Sequence, residues 1–218
     1  MEPIAYFHSP FGTKFGIPRQ SGLVRELTGE IVFEPRYRNP DAVRGLDGFS
    51  HLWIIWLFSA NKEHCGKLTV RPPRLGGNRR MGVFATRSPF RPNPIGLSCV
   101  YINKVETDAK RGPVITVSGG DLMDGTPILD IKPYIRFCDS VEDARSGFVD
   151  GSEWRKMSVS LGGNLREKLT PEQQRALVGA LELDPRPRVQ DDPGRVYGMS
   201  FNGMDIHFIA DGNCISAF

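Results

Sequence analysis

Basic residues crowd into one part of this 218-residue chain and suggest the first chemistry that the sequence can support. Residues 64–105 hold eight Lys or Arg and no Asp or Glu; this stretch carries +8 and the whole chain +3, which leaves −5 elsewhere. Arginine guanidinium groups bind phosphate and carboxylate oxygens in pairs and do not titrate away. We therefore predict that the basic stretch contacts an anionic partner, with RNA favoured.

The segment Arg71-Pro-Pro-Arg-Leu-Gly-Gly-Asn-Arg-Arg is the densest part of this stretch. Its prolines stiffen the chain, and its glycines let the backbone approach a ligand closely. A solvated basic loop is the alternative, because many charge runs have no partner. The candidate RNA-binding residues are Arg71, Arg74, Arg79, Arg80 and Arg91.

A second motif, Thr86-Arg-Ser-Pro-Phe-Arg-Pro-Asn-Pro-Ile-Gly, follows directly. Its three prolines fix the backbone, so Arg87, Arg91 and Asn93 are presented on a rigid frame, as a preorganised site requires. A structural turn between two strands is the alternative. We predict that Asn93 lies at the reacting centre.

Two aspartates after a predicted strand are candidates for acid–base chemistry. They belong to Gly119-Gly-Asp-Leu-Met-Asp-Gly-Thr-Pro, in which Asp121 and Asp124 are three residues apart. Either carboxylate could accept a proton or bind amine or ribose hydroxyl groups of a ligand. An Asx-type turn at Asp124-Gly125 is the alternative for that position.

Short strands separated by turn residues must position these motifs. Residues 51–58, His-Leu-Trp-Ile-Ile-Trp-Leu-Phe, read as a strand buried on both faces. Further strands are expected over residues 30–37, 82–86 and 128–137, the last interrupted by Pro133. About seven strands without intervening helices favour an antiparallel barrel or sandwich. Thr170-Pro-Glu-Gln predicts a capped helix, and Asn202-Gly203 a hairpin. We predict a mainly β domain over residues 1–140 and a small α+β C-terminal appendage over residues 150–218.

Several function classes find no support in the sequence. The motifs GxGxxG, GxxxxGK[ST], HExxH and GxSxG are missing, and the four Cys and four His have no zinc-ligand spacing, so we expect no metal. The longest apolar run, residues 52–58, is too short to cross a bilayer, and there is no signal-peptide pattern. We expect reduced thiols, no membrane association and a cytoplasmic location.

Five motifs in the same order closely resemble the TsaA-like, or TrmO (YaeB), family. They are Ser9-Pro-Phe with Pro18-Arg-Gln, Ala42-Val-Arg-Gly-Leu-Asp-Gly-Phe-Ser-His-Leu-Trp, Val70-Arg-Pro-Pro-Arg-Leu-Gly-Gly-Asn, the motif from Gly82 to Gly96, and Asp121-Leu-Met-Asp-Gly-Thr-Pro with Asp130-Ile-Lys-Pro-Tyr. The resemblance implies a single-sheet antiparallel β-barrel that uses S-adenosylmethionine. It implies methylation of the exocyclic N6 of threonylcarbamoyl-adenosine at position 37 of tRNA, by a homodimer that holds the cofactor near the subunit interface.

The resemblance also implies a set of cofactor-binding residues. Ser59 and Ala60 stand where the family often has a histidine. The set is Pro18, Arg19, Gln20, Ser59, Ala60, Arg87, Leu97, Gly120, Asp121, Leu122 and Asp124. Asp121 and Asp124 are both candidates for the base that removes the N6 proton. Two alternatives stay open: a non-catalytic RNA-binding barrel, and a methyltransferase that acts on another anionic substrate.

Overall fold

A computed structural model describes all residues of the chain except 65, 67, 73–78, 152–154, 187–191 and 193. Its first 140 residues form strands that are short except for one. They are β1 (Ala5–His8), β2 (Thr28–Phe33), β3 (His51–Leu57), β4 (Thr69–Val70), β5 (Met81–Gly82), β6 (Ile95–Asp108), β7 (Gly112–Ser118) and β8 (Thr126–Pro133).

Six of these strands close into a barrel in the order β1-β2-β7-β6-β3-β8. Every neighbouring pair is antiparallel, including β1 with β8, which closes the ring. Closure removes the exposed strand edges that an open sheet would leave. The predicted fold class, a mainly β antiparallel barrel with an α+β appendage, is confirmed. The remaining pair, β4 and β5, forms a separate two-stranded ribbon that carries Arg71 at its end.

Strand β3 is buried on one face only, so the prediction of burial on both faces was wrong. Leu52, Ile54 and Trp56 are buried, whereas the residues between them are partly exposed. A closed barrel has one interior, and successive side chains of a strand point to opposite sides of the sheet. Trp56 lies in the barrel core, but Trp53 lies on the outer face, where its indole donates to Asp139 at 3.1 Å.

Three predicted strand boundaries also differ from the structure, and two of the changes occur at proline. The strand expected over residues 30–37 ends at Phe33, because Pro35 begins a 3₁₀ turn. The last barrel strand ends at Pro133, which lacks the N–H that would continue the ladder. The strand expected over residues 82–86 is confined to Met81–Gly82 and is followed by a 3₁₀ turn with Val83 buried.

The C-terminal part folds as helices against a second sheet. A short helix, α1 (Arg136–Asp139), follows the last barrel strand. The C-terminal elements are β9 (Ser158–Leu161), α2 (Gly163–Lys168), α3 (Pro171–Glu182), β10 (Tyr197–Phe201), β11 (Met204–Asp211) and β12 (Cys214–Ala217). The sheet order is β10-β11-β12-β9, with β9 parallel to β12. Thr170 and Gln173 form the predicted capping box, and Asn202 and Gly203 adopt the positive φ angles of a two-residue hairpin turn.

Two hydrophobic cores result, and one segment of the N-terminal half belongs to the second. The segment between β1 and β2 sends Phe11, Val24 and Leu27 into the core that α3 and the C-terminal sheet enclose. Phe15 stacks on Phe208, with ring centroids 6.2 Å apart. The segment that contains residues 18–20 is therefore anchored in the C-terminal core, while residues 18–20 themselves lie next to the barrel. The domain limits 1–140 and 150–218 stay a prediction.

Candidate active site

A large cavity opens at one end of the barrel, where β3 ends and β6 begins. Its volume is about 1950 Å³, whereas sites for single small molecules measure roughly 300–1,000 Å³. Six stretches contribute to its walls: residues 17–20, the end of β3 with the following turn at 56–61, residues 68–72, residues 84–91, residues 95–97 of β6, and residues 145–149. The cavity can therefore hold a cofactor together with part of a second ligand.

Asp121 is a largely enclosed carboxyl group that reaches this cavity from the stretch between β7 and β8. Its Oδ1 accepts a hydrogen bond of 2.5 Å from the Ser98 hydroxyl. Burial raises the pKa of Asp121 from 3.8 to about 6, because desolvation of the carboxylate outweighs the hydrogen bonds from Ser98 and from backbone N–H groups and the charge of Arg87. A carboxyl group with this pKa is ionised at pH 7 and can take a proton from a ligand.

Arg87 and Gln20 join the two loops that face Asp121. The Arg87 guanidinium donates to Gln20 Oε1 at 2.5 Å, and the Gln20 amide donates to the Arg19 carbonyl at 2.5 Å. Pro18 is buried beside them. This arrangement offers a cation, an amide and a carboxyl group within one cavity, which is the mixed polar set that an amino acid or a nucleoside needs for recognition.

Apolar side chains form the other walls. Leu97 is 54% exposed although it lies within β6, and Phe84 is 74% exposed. Leu57 and Phe58 line the cavity at the end of β3. Exposed apolar surface beside convergent polar groups is typical of a binding site for a ring system.

The structure brings eight of the predicted cofactor-binding residues to the cavity. They are Pro18, Arg19, Gln20, Ser59, Ala60, Arg87, Leu97 and Asp121. The Ala60 carbonyl accepts a hydrogen bond of 2.9 Å from Lys14. The other three predicted residues, Gly120, Leu122 and Asp124, are not among its lining residues. Leu122 is buried in the barrel core, and a side chain at Gly120 would meet the Phe7 ring at 2.8 Å.

Asp124 and Asn93 lie apart from the enclosed carboxyl group. Asp124 Oδ1 accepts the Ser9 N–H at 3.1 Å and lies 3.2 Å from His8 Nδ1, and the backbone N–H of Asp124 donates to Phe11. The chain does turn here, since the Thr126 N–H donates to the Met123 carbonyl at 3.2 Å, but the Asp124 side chain bonds the end of β1 instead of forming the Asx-type turn that the sequence left open. Asn93 is exposed outside the cavity lining, and its carbonyl accepts the N–H of Ile95. Their predicted catalytic roles stay predictions, and the geometry favours Asp121.

The predicted RNA-binding arginines divide into three groups. Arg71, Arg80 and Arg91 line the cavity, and Arg91 donates to the Thr86 carbonyl at 3.1 Å. Arg79 is exposed beyond the lining. Arg74 lies outside the described residues. The cavity lining therefore includes several guanidinium groups, which are suited to binding an anionic ligand.

Sequence reasoning missed three polar residues of the cavity region. Lys14 and Arg145 line it, and Ser98 lies beneath it. Ser98 does carry a signal, since it is a polar residue at an inward position of an apolar strand. Arg145 belongs to the connecting stretch 139–153, whose sequence has no periodicity or motif that would place it near the barrel.

Two further observations concern metal binding and membrane association. The residues that the structure describes contain no group of three or more His, Cys, Asp or Glu arranged to hold a metal ion. Within the same part of the chain, no helix is long and apolar enough to span a membrane.

Two family models together match most of the chain. The model described as the tRNA-methyltransferase O N-terminal domain matches residues 6–140, and the TrmO C-terminal domain model matches residues 155–218.

Individual relatives give the same picture. The chain is 41% identical over 215 residues to the tRNA (adenine(37)-N6)-methyltransferase of Escherichia coli K12, a match that covers 95% of this chain and 91% of that protein. It is 40% identical, with the same coverage, to a Pseudomonas aeruginosa protein named putative S-adenosylmethionine-dependent methyltransferase RcsF. A crystal structure of TrmO superposes with a TM-score of 0.78 at 33% identity, covering 99% of this chain and 95% of that one.

Proposed function

Because the chain belongs to the tRNA-methyltransferase O family, we propose that it methylates N6 of adenosine 37 in tRNA with S-adenosylmethionine as methyl donor. The preferred form of the target is the threonylcarbamoyl-adenosine that the family resemblance implies. One observation carries the proposal: a single cavity combines an enclosed carboxyl group, an arginine–glutamine pair and apolar walls, with further arginines at its rim.

The cavity residues fit the proposed cofactor. When bound, S-adenosylmethionine supplies a methyl carbon on a sulfonium, so that the carbon–sulfur bond breaks as the nitrogen–carbon bond forms and S-adenosylhomocysteine leaves. Leu57 and Leu97 provide apolar surface for an adenine ring, and Gln20 and Arg87 provide polar groups for the amino-acid end. Proximity and orientation are the main demands of such a transfer.

Asp121 is the proposed base. The attacking N6 is conjugated with the ring and with the carbamoyl group, so it is a weak nucleophile while it keeps its proton. The Asp121 carboxylate takes this proton and later releases it to water. The pKa of about 6 favours this role, because most of the carboxyl is then ionised at neutral pH while it still holds a proton better than an exposed aspartate does.

The rim arginines are proposed to hold the anticodon loop. Arg71 and Arg80 flank the ribbon of β4 and β5, Arg91 lies on the proline-rich turn, and Arg145 reaches the cavity from the connecting stretch. Their charges are suited to phosphates or to the threonyl carboxylate. The target base must leave its stack to enter the cavity, where Phe90 provides an aromatic surface.

A homodimer is part of the proposal. The outer face of β3 carries Trp53, Ile55 and Leu57, which are only partly buried, and Ile55 is paired with the exposed Leu97. Contiguous exposed apolar surface marks interfaces. Since Leu57 and Leu97 also line the cavity, a partner on this face would bring the cofactor close to the interface. Sedimentation of the purified protein tests this, and a monomer at micromolar concentration would refute it.

The proposed site of action is the cytoplasm, where tRNA is modified. The described cysteines, Cys99, Cys138 and Cys214, are free thiols, as suits a reducing compartment. Fractionation of cells that express the tagged chain tests the location, with recovery in a membrane or secreted fraction as the contrary result.

Mass spectrometry of tRNA nucleosides, after incubation with the protein and S-adenosylmethionine, is the decisive experiment. We expect methylated threonylcarbamoyl-adenosine from modified tRNA and much less product from tRNA that lacks the threonylcarbamoyl group. Equal methylation of both tRNAs would reject the proposed substrate. Absence of any cofactor affinity in a calorimetric titration would leave a non-catalytic RNA-binding barrel instead.

A further inference from the structure

Ser98 carries a fully buried hydroxyl near the start of β6. Its exposure is 0%, and it is opposite Ile54 of β3 in the register, within an otherwise apolar barrel. Burial of a hydroxyl is costly unless both its hydrogen and its lone pairs find partners. Those partners are Trp56 and Asp121, so the serine joins the barrel core to the floor of the cavity.

The direction of the two hydrogen bonds follows from the groups involved. The Trp56 indole N–H can only donate, and it reaches Ser98 Oγ at 2.9 Å. The single hydrogen of Ser98 is therefore free to point at Asp121 Oδ1, 2.5 Å away. Trp56 itself has little freedom, since a Cβ at Gly96 would overlap its ring and Phe58 packs against it with centroids 4.3 Å apart.

We infer that Ser98, oriented by Trp56, is a positioning residue that occupies Oδ1 of Asp121 as an acceptor, so that Oδ2 takes the proton from the substrate nitrogen. This inference rests on the proposed methyltransferase function. In the step, the N6–H bond breaks and an O–H bond forms at Oδ2 as N6 bonds to the methyl carbon and the carbon–sulfur bond breaks. A freely rotating carboxyl group would offer either oxygen and would lose part of its alignment.

The charged groups around Asp121 determine how its ionisation changes when the Ser98 hydroxyl is removed. Arg87 is the charged group that acts on the carboxyl, and a backbone N–H of Ser21 also favours its ionised form. The other cations of the cavity lining are Lys14, Arg19, Arg71, Arg80, Arg91 and Arg145. All of these stay in a Ser98→Ala variant, whereas one donor to the carboxylate is lost, so the variant's Asp121 ionises at higher pH.

The test compares Ser98→Ala with Ser118→Ala in single-turnover methylation of tRNA across roughly pH 5 to 9. Ser118 is a matched control, since it is a mostly buried barrel serine whose hydroxyl accepts from Asn103 at 2.7 Å. For Ser98→Ala we expect the acidic limb of the rate profile to move to higher pH and the rate at pH 6 to fall about tenfold. We expect an unchanged profile for Ser118→Ala, and unchanged cofactor affinity for both.

A Trp56→Phe variant provides a second test by the same pH–rate profile and leaves Ser98 and Asp121 unchanged. It removes the donor that orients the hydroxyl, so the limb should move in the same direction by a smaller amount. This variant also decides the matter if thermal melting shows that Ser98→Ala does not fold.

Each contrary result is distinct. An unmoved acidic limb in both variants overturns the inference. Loss of cofactor affinity in Ser98→Ala with an unmoved limb also overturns it, because Asp121 would then be a cofactor-binding group. If the wild-type protein itself transfers no methyl group, the proposed function fails, and the wild-type reaction in the same series reveals this.

Discussion

The floor of the cavity, formed by Asp121 and Ser98, differs in its electrostatics from the rim, which carries Arg71, Arg80, Arg91 and Arg145. On the floor, Asp121 is enclosed and its pKa is raised to about 6, so its charge depends on pH and on its hydrogen-bond partners. On the rim, Arg71 and Arg80 are exposed and remain charged. A proton-transfer step needs a group that can gain and lose a proton near neutral pH. Binding of a polyanion needs groups that keep their positive charge at every working pH. Substitutions on the floor should therefore change rate and pH dependence, and substitutions on the rim should change affinity and salt dependence.

The largest expected effect comes from Asp121→Asn. The amide keeps the shape of the side chain but cannot take a proton, so single-turnover methylation should fall by about 10²- to 10³-fold. Cofactor affinity, measured by calorimetry, should change little. Asp124→Asn is the matched control on the same stretch, because its contacts are with His8 and Ser9. A larger loss for Asp124→Asn than for Asp121→Asn would make Asp124 the base.

The same Asp121→Asn variant should be more stable than the wild type at pH 8. A carboxyl group whose pKa is raised on folding stabilises the protein fully below about pH 3.8 and loses that contribution as the pH rises through about 6. The ionised form therefore costs about 3 kcal/mol at pH 8, at about 1.4 kcal/mol for each tenfold change in proton affinity. Urea denaturation measures the difference, which should vanish near pH 4. Equal stabilities at pH 8 would contradict the enclosed carboxyl.

At the rim, the double variant Arg71→Ala/Arg80→Ala should weaken tRNA binding about tenfold at moderate salt. Loss of two phosphate contacts should also lower the slope of log affinity against log salt by about two. The rate at saturating tRNA should stay near the wild-type value. Arg175→Ala is the control, since Arg175 lies on α3 and pairs with Glu172 at 3.0 Å. An unchanged salt slope would remove these two arginines from the RNA contact.

The smallest expected effect is that of Arg145→Ala. One rim cation lost from the connecting stretch should raise the KM for tRNA about threefold and leave cofactor affinity unchanged. Initial rates of methylation over a range of tRNA concentrations, at two salt concentrations, give both the KM and the maximal rate. A fall in the maximal rate without a change in KM would show that Arg145 acts in the reaction step and not in tRNA binding.

Local patterns in the sequence predicted much of this arrangement. Alternating and apolar strands, the capping box at Thr170 and the turn at Asn202-Gly203 depend on neighbours in the chain, and each is present. The family resemblance added a predicted set of cofactor-binding residues, of which Pro18–Gln20 and Leu97 line the cavity. Both Asp121 and Asp124 were equally good candidates in the sequence, because only burial separates them.

Features that depend on distant contacts were not predictable from local patterns. Ser98 pairs with Asp121 only because β6 and the stretch after β7 meet beside the cavity, 23 residues apart in sequence. One-sided burial of β3 follows from closure of β1 on β8, which no local pattern encodes. Arg145 reaches the cavity through a connection whose composition suggested only a boundary.

The segment between β1 and β2 makes the two halves of the chain poor modules for exchange. Its Phe11, Val24 and Leu27 belong to the C-terminal core, while Pro18, Arg19 and Gln20 face the barrel cavity. In a chimaera that joins this barrel to a foreign C-terminal half, the apolar side chains of that segment would pack poorly, and residues 18–20 of the cavity lining would be displaced. A substitution in the C-terminal core can therefore displace a stretch that lies, in sequence, entirely within the N-terminal half.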